Sequence, residues 1–244
     1  MNSISFKELE DKSAEEILQW TMNRFGNRAG IASSFGMEDM VLIDMVSKLD
    51  GGDITIFTLD TGRLHEETYE IMEKVRTRYG LTIQTYFPDK EAVEGLVRDK
   101  GFFSFRESVE NRKECCFIRK VEPLQRALAQ LDAWVTGLRR DQNVTRADVA
   151  KIDQDADHSN LIKINPLADW TQERVEAYIE KHSVPVNSLH KKNYPSIGCA
   201  PCTRAINPGE DIRAGRWWWE NPEHKECGLH ITTETTDRRT QTAD

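Results

Sequence analysis

The chain has 244 residues, with 41 acidic against 33 basic side chains and a formal net charge of -8, a balance that argues against general attraction to nucleic acid or to a membrane surface. Its five cysteines are too few for a secreted disulfide scaffold, and the odd number leaves at least one without a partner inside the chain. No apolar run approaches the roughly 18 residues of a transmembrane helix, and the start MNSISFKELEDKSAEEI lacks the basic flank and apolar stretch of a signal peptide, so the expectation is a soluble, cytoplasmic protein.

Residues 6–25 carry Leu9, Ile17, Leu18, Trp20 and Phe25 among acids and predict an amphipathic helical entry. Next, Gly30 to Ser33 reads as a short strand that passes through a small-residue turn into a helix bearing Met37, Met40, Val41 and Met45. DITIFTLDTG (53–62) predicts a buried strand ending in a turn, HEETYEIMEKVRTRYG (65–80) a helix closed by Gly80, and LTIQTYFP (81–88) another strand. Helical segments are expected over 90–130, then strands at 133–138 and 161–167 and a helix begun by Thr171. The alternation predicts an α/β fold: a parallel, mixed-edge sheet with helices on both faces. The less regular last third reads as a functional loop region, and residues 207–244 as a C-terminal tail with a disordered polar end. A body over 1–206 and that tail are the expected divisions.

Three polar loops follow predicted strands and so fall at one edge of the sheet, where open α/β sheets bind ligands. SSFGMED supplies Ser33, Ser34, Phe35, Gly36, Glu38 and Asp39 where a strand hands over to a helix, a place suited to phosphate or sulfate. Taken alone, such a loop is equally a turn and an N-cap. LDTG adds Leu59, Asp60, Thr61 and Gly62, and TGLRRDQ adds Gly137, Arg139 and Arg140. Adjacent arginines can be merely solvated, but guanidinium groups grip phosphate and sulfate oxygens through paired hydrogen bonds. Arg213 and Arg216 bring further candidates, beside a Trp217–Trp218–Trp219 run that either docks the tail or packs in the core.

Cys115 and Cys116 are adjacent, and Cys199 and Cys202 form GCAPC. The CxxC pair alone is ambiguous between zinc, a redox disulfide and iron–sulfur ligation. Consecutive cysteines close on one tetrahedral ion only through a cramped ring, whereas a [4Fe-4S] cluster offers four irons to four thiolates. The set therefore suits a cluster better, with a zinc knuckle or buried free thiols as the alternatives. Cys227, in HKECGLH, is the fifth cysteine; flanked by His224, Lys225 and His230, it is either a thiol whose thiolate form is favoured or a tail cysteine without a role.

Together these motifs are similar to those of the assimilatory adenylyl-sulfate reductases, the iron–sulfur branch of the adenylyl-sulfate and phosphoadenylyl-sulfate reductase family. The resemblance runs from SSFGMED through LDTG, TGLRRDQ, KINPLADW and the cysteine pairs to ECGLH. It implies a fold like that of the adenine-nucleotide α-hydrolases, with Phe35 and Met37 departing from the glycine-rich loop of ATP-using relatives. It also implies a [4Fe-4S] cluster on Cys115, Cys116, Cys199 and Cys202, and Cys227 as nucleophile toward the sulfur of adenylyl sulfate. Thioredoxin is the implied electron donor, and sulfite and AMP the implied products. Phosphoadenylyl sulfate as preferred or second substrate, an ATP-dependent tRNA sulfur transferase and a nonenzymatic zinc module are the rival readings. The oligomeric state, a homo-oligomer included, stays open.

Overall fold

A computed structural model of the chain describes residues 6–51, 53–142, 146–158 and 161–221. A six-stranded sheet runs in the order β3-β2-β1-β4-β6-β5, from β1 (Ala29–Ala32), β2 (Thr55–Leu59), β3 (Ile83–Tyr86), β4 (Ala133–Val135), β5 (Ile152–Asp155) and β6 (Leu161–Ile164). All pairings are parallel except β5 on β6, which closes one edge as an antiparallel hairpin. The sheet is thus the expected parallel one with a mixed edge.

Side-chain alternation at a period of two builds both cores. Ile56, Ala133 and Val135 face one side, where α2 (Ala14–Phe25), α3 (Met37–Val46), α4 (Glu66–Tyr79) and α8 (Gln172–His182) supply Ile17, Leu42, Val75 and Val175. Their neighbours Phe57 and Trp134 face the other side and pack with Leu124, Ala127 and Leu128 of α7 (Glu122–Leu128). A third, smaller core joins Leu96 of α5 (Lys90–Lys100), Phe105 and Cys115 of α6 (Val109–Cys116), with Trp219 and Cys202 against it.

The helical entry is two helices rather than one. The short α1 (Phe6–Leu9) ends before Ser13, whose hydroxyl accepts from the Glu16 amide while Glu16 accepts from the Ser13 amide, a capping box that starts α2 afresh. Strand β5 was not expected, because IDQD has a single apolar residue. It forms because Asp155 turns inward and accepts from the Trp134 indole N–H at 2.9 Å, with His158 at 3.0 Å.

Residues 207–221, expected as the start of the tail, pack on the body. The Trp217 amide donates to the Cys202 carbonyl, the Arg204 amide to the Gly215 carbonyl, and Thr203 and Arg216 form an antiparallel bridge. Arg112 of α6 grips Glu220 through Nε and Nη2 at 3.0 and 2.9 Å, with both side chains buried. Among the described residues no helix is long and apolar enough to cross a membrane.

One buried carboxylate ties three helices. Asp44 of α3 accepts from Tyr79 of α4 at 3.1 Å, from Tyr178 of α8 at 2.9 Å and from Lys48; burial and the Asp44 carboxylate push both phenols up. Asp44→Ala strands two part-buried hydroxyls and is expected to destabilise the fold by about 3 kcal/mol, with Asp44→Asn costing less. Urea denaturation measures both, and equal costs for the two variants would count against the hydrogen-bonding account.

Candidate active site

The strand order reverses between β1 and β4. Their following loops leave in opposite directions and open a crevice at the carboxyl ends of the strands. There lies a cavity of about 750 Å3, lined by Ser33, Ser34, Gly36, Glu38 and Asp39 after β1, Leu59 and Thr61 of the LDTG stretch, and Gly137 and Arg139 after β4. Arg213 and Arg216 reach the same wall from the last described stretch.

Four predicted residues do not line it. Phe35 adopts a left-handed φ of 60° and buries its ring in the core, a strained conformation for a non-glycine residue. Asp60 shapes its own loop, accepting from the Gly62 amide at 2.8 Å and from the Tyr69 hydroxyl at 3.0 Å. Gly62 takes a positive φ of 69° at that turn. Arg140 turns away to pair with Glu10 and donates to the Val149 carbonyl at 2.8 Å.

Arg139 lines the cavity but is a tie rather than a free cation. Buried at 2% exposure, its guanidinium donates to Glu38 at 2.9 Å, the Trp170 carbonyl at 3.2 Å and Gln172 at 2.6 Å. It thereby fixes the β4 loop to α3 and α8. Gly137 is required for the same closeness, since a Cβ there would meet Glu38 Cβ at 2.7 Å and Asp39 Oδ1 at 2.8 Å. The sequence reading missed Lys120 and Arg146, which join Arg213 and Arg216 as cations on the wall. Lys120 had a signal: it follows Cys116 by four residues, about one helical turn. Arg146 had none to separate it from a solvated arginine.

All four cysteines of the two pairs line one second, smaller cavity, with Arg63, Arg112, Arg119, Lys120 and Arg216 around them. α6 ends at Cys116 and passes into a π-helical turn over Phe117–Val121, which separates the two adjacent thiols from the following helix. Thr61 Oγ1 lies 3.2 Å from Cys199 Sγ, and Arg119 Nη1 donates to the Thr61 carbonyl at 2.6 Å. Lys120, Cys199 and Arg216 are shared between the two cavities, and Thr61 of the LDTG loop, on the wall of the first, touches Cys199.

Burial, and then the charge of Cys199, pushes the Cys202 thiol up to about 12, and burial pushes Cys115 up as well. Such thiols shed their protons when a metal takes the proton's place. Arg119 Nε and the Trp217 indole N–H, buried on the cavity wall, meet no hydrogen-bond acceptor among the described residues. No three His, Cys, Asp or Glu side chains among the described residues converge on one ion position. Four thiols around an arginine-rich cavity with spare N–H donors can hold an anionic, several-centred group more readily than a single tetrahedral ion. Cys227 lies outside the described residues.

The phosphoadenosine phosphosulfate reductase domain model matches residues 28–205. The chain belongs to this family. It is 55% identical over 209 residues to an adenosine 5'-phosphosulfate reductase of Burkholderia cepacia, covering 86% of this chain and 83% of that one. The crystal structure of a phosphoadenylyl-sulfate reductase from Candida auris, a phosphate complex, superposes with a TM-score of 0.70 at 31% identity, over 84% of this chain and 98% of that one. An FMN adenylyltransferase of Candida glabrata shares the fold at a TM-score of 0.51 and 15% identity, over 96% and 83% of the two chains.

Within this family member, the loop after β1 is held by its own carboxylate. Asp39 accepts from the Ser34 amide at 2.7 Å and the Ser34 hydroxyl at 2.9 Å, and Phe35 donates its amide to Ser33 Oγ at 3.1 Å. Much of the loop's donor capacity is thus turned inward. Burial, opposed by the Ser34 amide, raises the Asp39 carboxyl from 3.8 to about 6. The folded chain then keeps this proton to higher pH than the unfolded chain, so stability falls as pH rises from about 4 to about 6 and stays lower above. Asp39→Asn removes the titration, and its stability relative to wild type is expected to improve by about 2 to 3 kcal/mol between pH 4 and pH 7. Denaturant melts across that range test this; a difference independent of pH would contradict it.

Proposed function

We propose that the chain reduces adenylyl sulfate to sulfite and AMP with electrons from thioredoxin, through an S-sulfocysteine on Cys227. The relatives named as adenosine 5'-phosphosulfate reductases support the substrate. The observation that carries the reading is the shared wall: a nucleotide-sized cavity at the strand ends meets the four-cysteine cavity at Cys199, Lys120 and Arg216. In this reading Cys115, Cys116, Cys199 and Cys202 hold a [4Fe-4S] cluster, which supplies electrostatic tuning and order while the two thioredoxin thiols supply both electrons.

The substrate is a polyanion and its attacker a thiolate, so approach requires neutralisation of charge. Lys120, Arg146, Arg213 and Arg216 provide it at the cavity wall. Ser33, Ser34, Leu59, Thr61 and Gly137 shape the nucleotide's seat, while Arg139 and Glu38 hold the loops in register. The Cys227 thiolate bonds to the sulfate sulfur and the S–O bond to the AMP phosphate breaks, so AMP leaves with that electron pair. A thioredoxin thiolate then bonds to Cys227 Sγ, and sulfite leaves. The second thioredoxin thiol displaces Cys227 and closes the disulfide.

The chain divides, in this account, into a nucleotide-binding reductase body and a tail carrying Cys227, with 207–221 as the tail's packed foot. From Asn221 to Cys227 the chain spans at most about 20 Å. That tether lets one thiol serve a nucleotide cavity and a partner protein in turn.

Sulfite formation from adenylyl sulfate, or from phosphoadenylyl sulfate in a parallel arm, with reduced thioredoxin tests the proposal. Wild type is expected to prefer adenylyl sulfate, and Cys227→Ser to make no sulfite while still binding nucleotide. Undiminished sulfite from the variant would refute the nucleophile. Stoichiometric zinc in a colourless anaerobic preparation would refute the cluster.

A further inference from the structure

Beside the CxxC loop lies an aromatic surface that lines neither cavity and that the proposed chemistry does not use. Phe102 is 66% exposed, Phe103 57% and Trp218 38%. One guanidinium joins the last two: Arg106 lies 5.2 Å from the Phe103 ring centre and 5.6 Å from that of Trp218. Its Nη2 donates to the Pro201 carbonyl at 3.1 Å, which fixes the surface to the CxxC loop. Arg63 borders the other side, donating to the Phe102 carbonyl at 2.8 Å and lying 5.2 Å from the ring of buried Phe105. Single exposed rings such as Phe6 and Phe87 are ordinary. Exposed rings grouped around shared guanidinium groups mark an interaction site instead.

We propose that the Phe102–Phe103–Trp218 face is where the reducing dithiol protein, thioredoxin, docks. The inference rests on the reading of Cys227 as the thiol it must attack. Trp218 stands three residues before Asn221, and the tether from Asn221 to Cys227 reaches at most about 20 Å. Trp218 itself stands nine residues before Cys227, so a protein that bonds to Cys227 Sγ meets that thiol within about 30 Å of Trp218. The nucleotide cavity cannot serve, because the partner must attack a thiol that has already left it. An exposed aromatic face flanked by Arg63 and Arg106 offers a partner apolar contact with a cationic rim. Aromatic and arginine side chains are also the residues on which small transient interfaces concentrate their energy. Docked there, the partner's thiolate bonds to Cys227 Sγ and the Sγ–sulfonate bond breaks. Sulfite leaves with the electron pair, and the partner's second thiol then closes its disulfide.

The test uses the full chain carrying Phe102→Ser together with Phe103→Ser, both exposed, and separately Trp218→Ser. The KM for thioredoxin is expected to rise by about tenfold or more in the double variant, while adduct formation from adenylyl sulfate and sulfite release by dithiothreitol stay at wild-type rates. Unchanged KM would overturn the proposal, as would equal slowing with dithiothreitol, which would place the effect on the tail itself. Chemical-shift changes in isotope-labelled thioredoxin on adding wild-type chain, lost with the double variant, decide the docking face even if no adduct ever forms. Equal shifts with both chains would overturn it. So would a double variant that changes only the self-association of the chain.

Discussion

Parallel pairing of Gly30 with Trp134 and of Ile31 with Val135 joins two segments far apart in the chain, and the chemistry of the molecule is organised around that contact. With β2 on the other side of β1 and β6 on the other side of β4, the two connections leave in opposite directions and a crevice must open between them. The pairing is held from both faces, by Ile31 and Val135 in one core and Trp134 in the other, each fully buried apolar side chain contributing about 1.5 to 3 kcal/mol. The crevice then brings SSFGMED against TGLRRDQ so closely that Gly137 has no room for a side chain.

Charge accounts for how the crevice is used. The acidic chain concentrates cations at one place, where Arg63, Arg112, Arg119, Lys120 and Arg216 surround four thiols, those of Cys115 and Cys199 buried. Arg216 and Lys120 also face the cavity at the strand ends, so the two cavities share one field. Field effects of this kind are stronger where water is excluded. Gly198 contributes by absence, since a Cβ there would run into the Arg216 guanidinium.

The stretch before Cys227 is anchored to the cysteine-bearing helix. Arg112 sits beneath the Trp217 ring at 4.9 Å and grips Glu220, an ion pair whose value is positional, because its desolvation offsets much of its attraction. Breaking it by removing one partner leaves a buried charge, at a cost of about 3 to 5 kcal/mol. Residues 217–220 and two of the four clustered thiols therefore belong to one packed unit.

Much was legible from the sequence alone. The βαβ alternation and the strand ends carrying polar loops follow from local periodicity, which acts over a few residues, and the grouping of Cys115, Cys116, Cys199 and Cys202 was legible in their residue type and pairing. The hairpin strand β5 was not legible, because its inward residue is Asp155, a carboxylate made tolerable only by the Trp134 indole from another strand. The roles within the arginine set were equally hidden: Arg139 and Arg140 are neighbours, yet one ties loops inside the crevice and the other pairs with Glu10 outside it. Residue types and their spacing determined which chemistry the chain carries. Only the tertiary structure decided which cations face the cavity, since a guanidinium's partners come from distant segments that meet when the sheet is assembled.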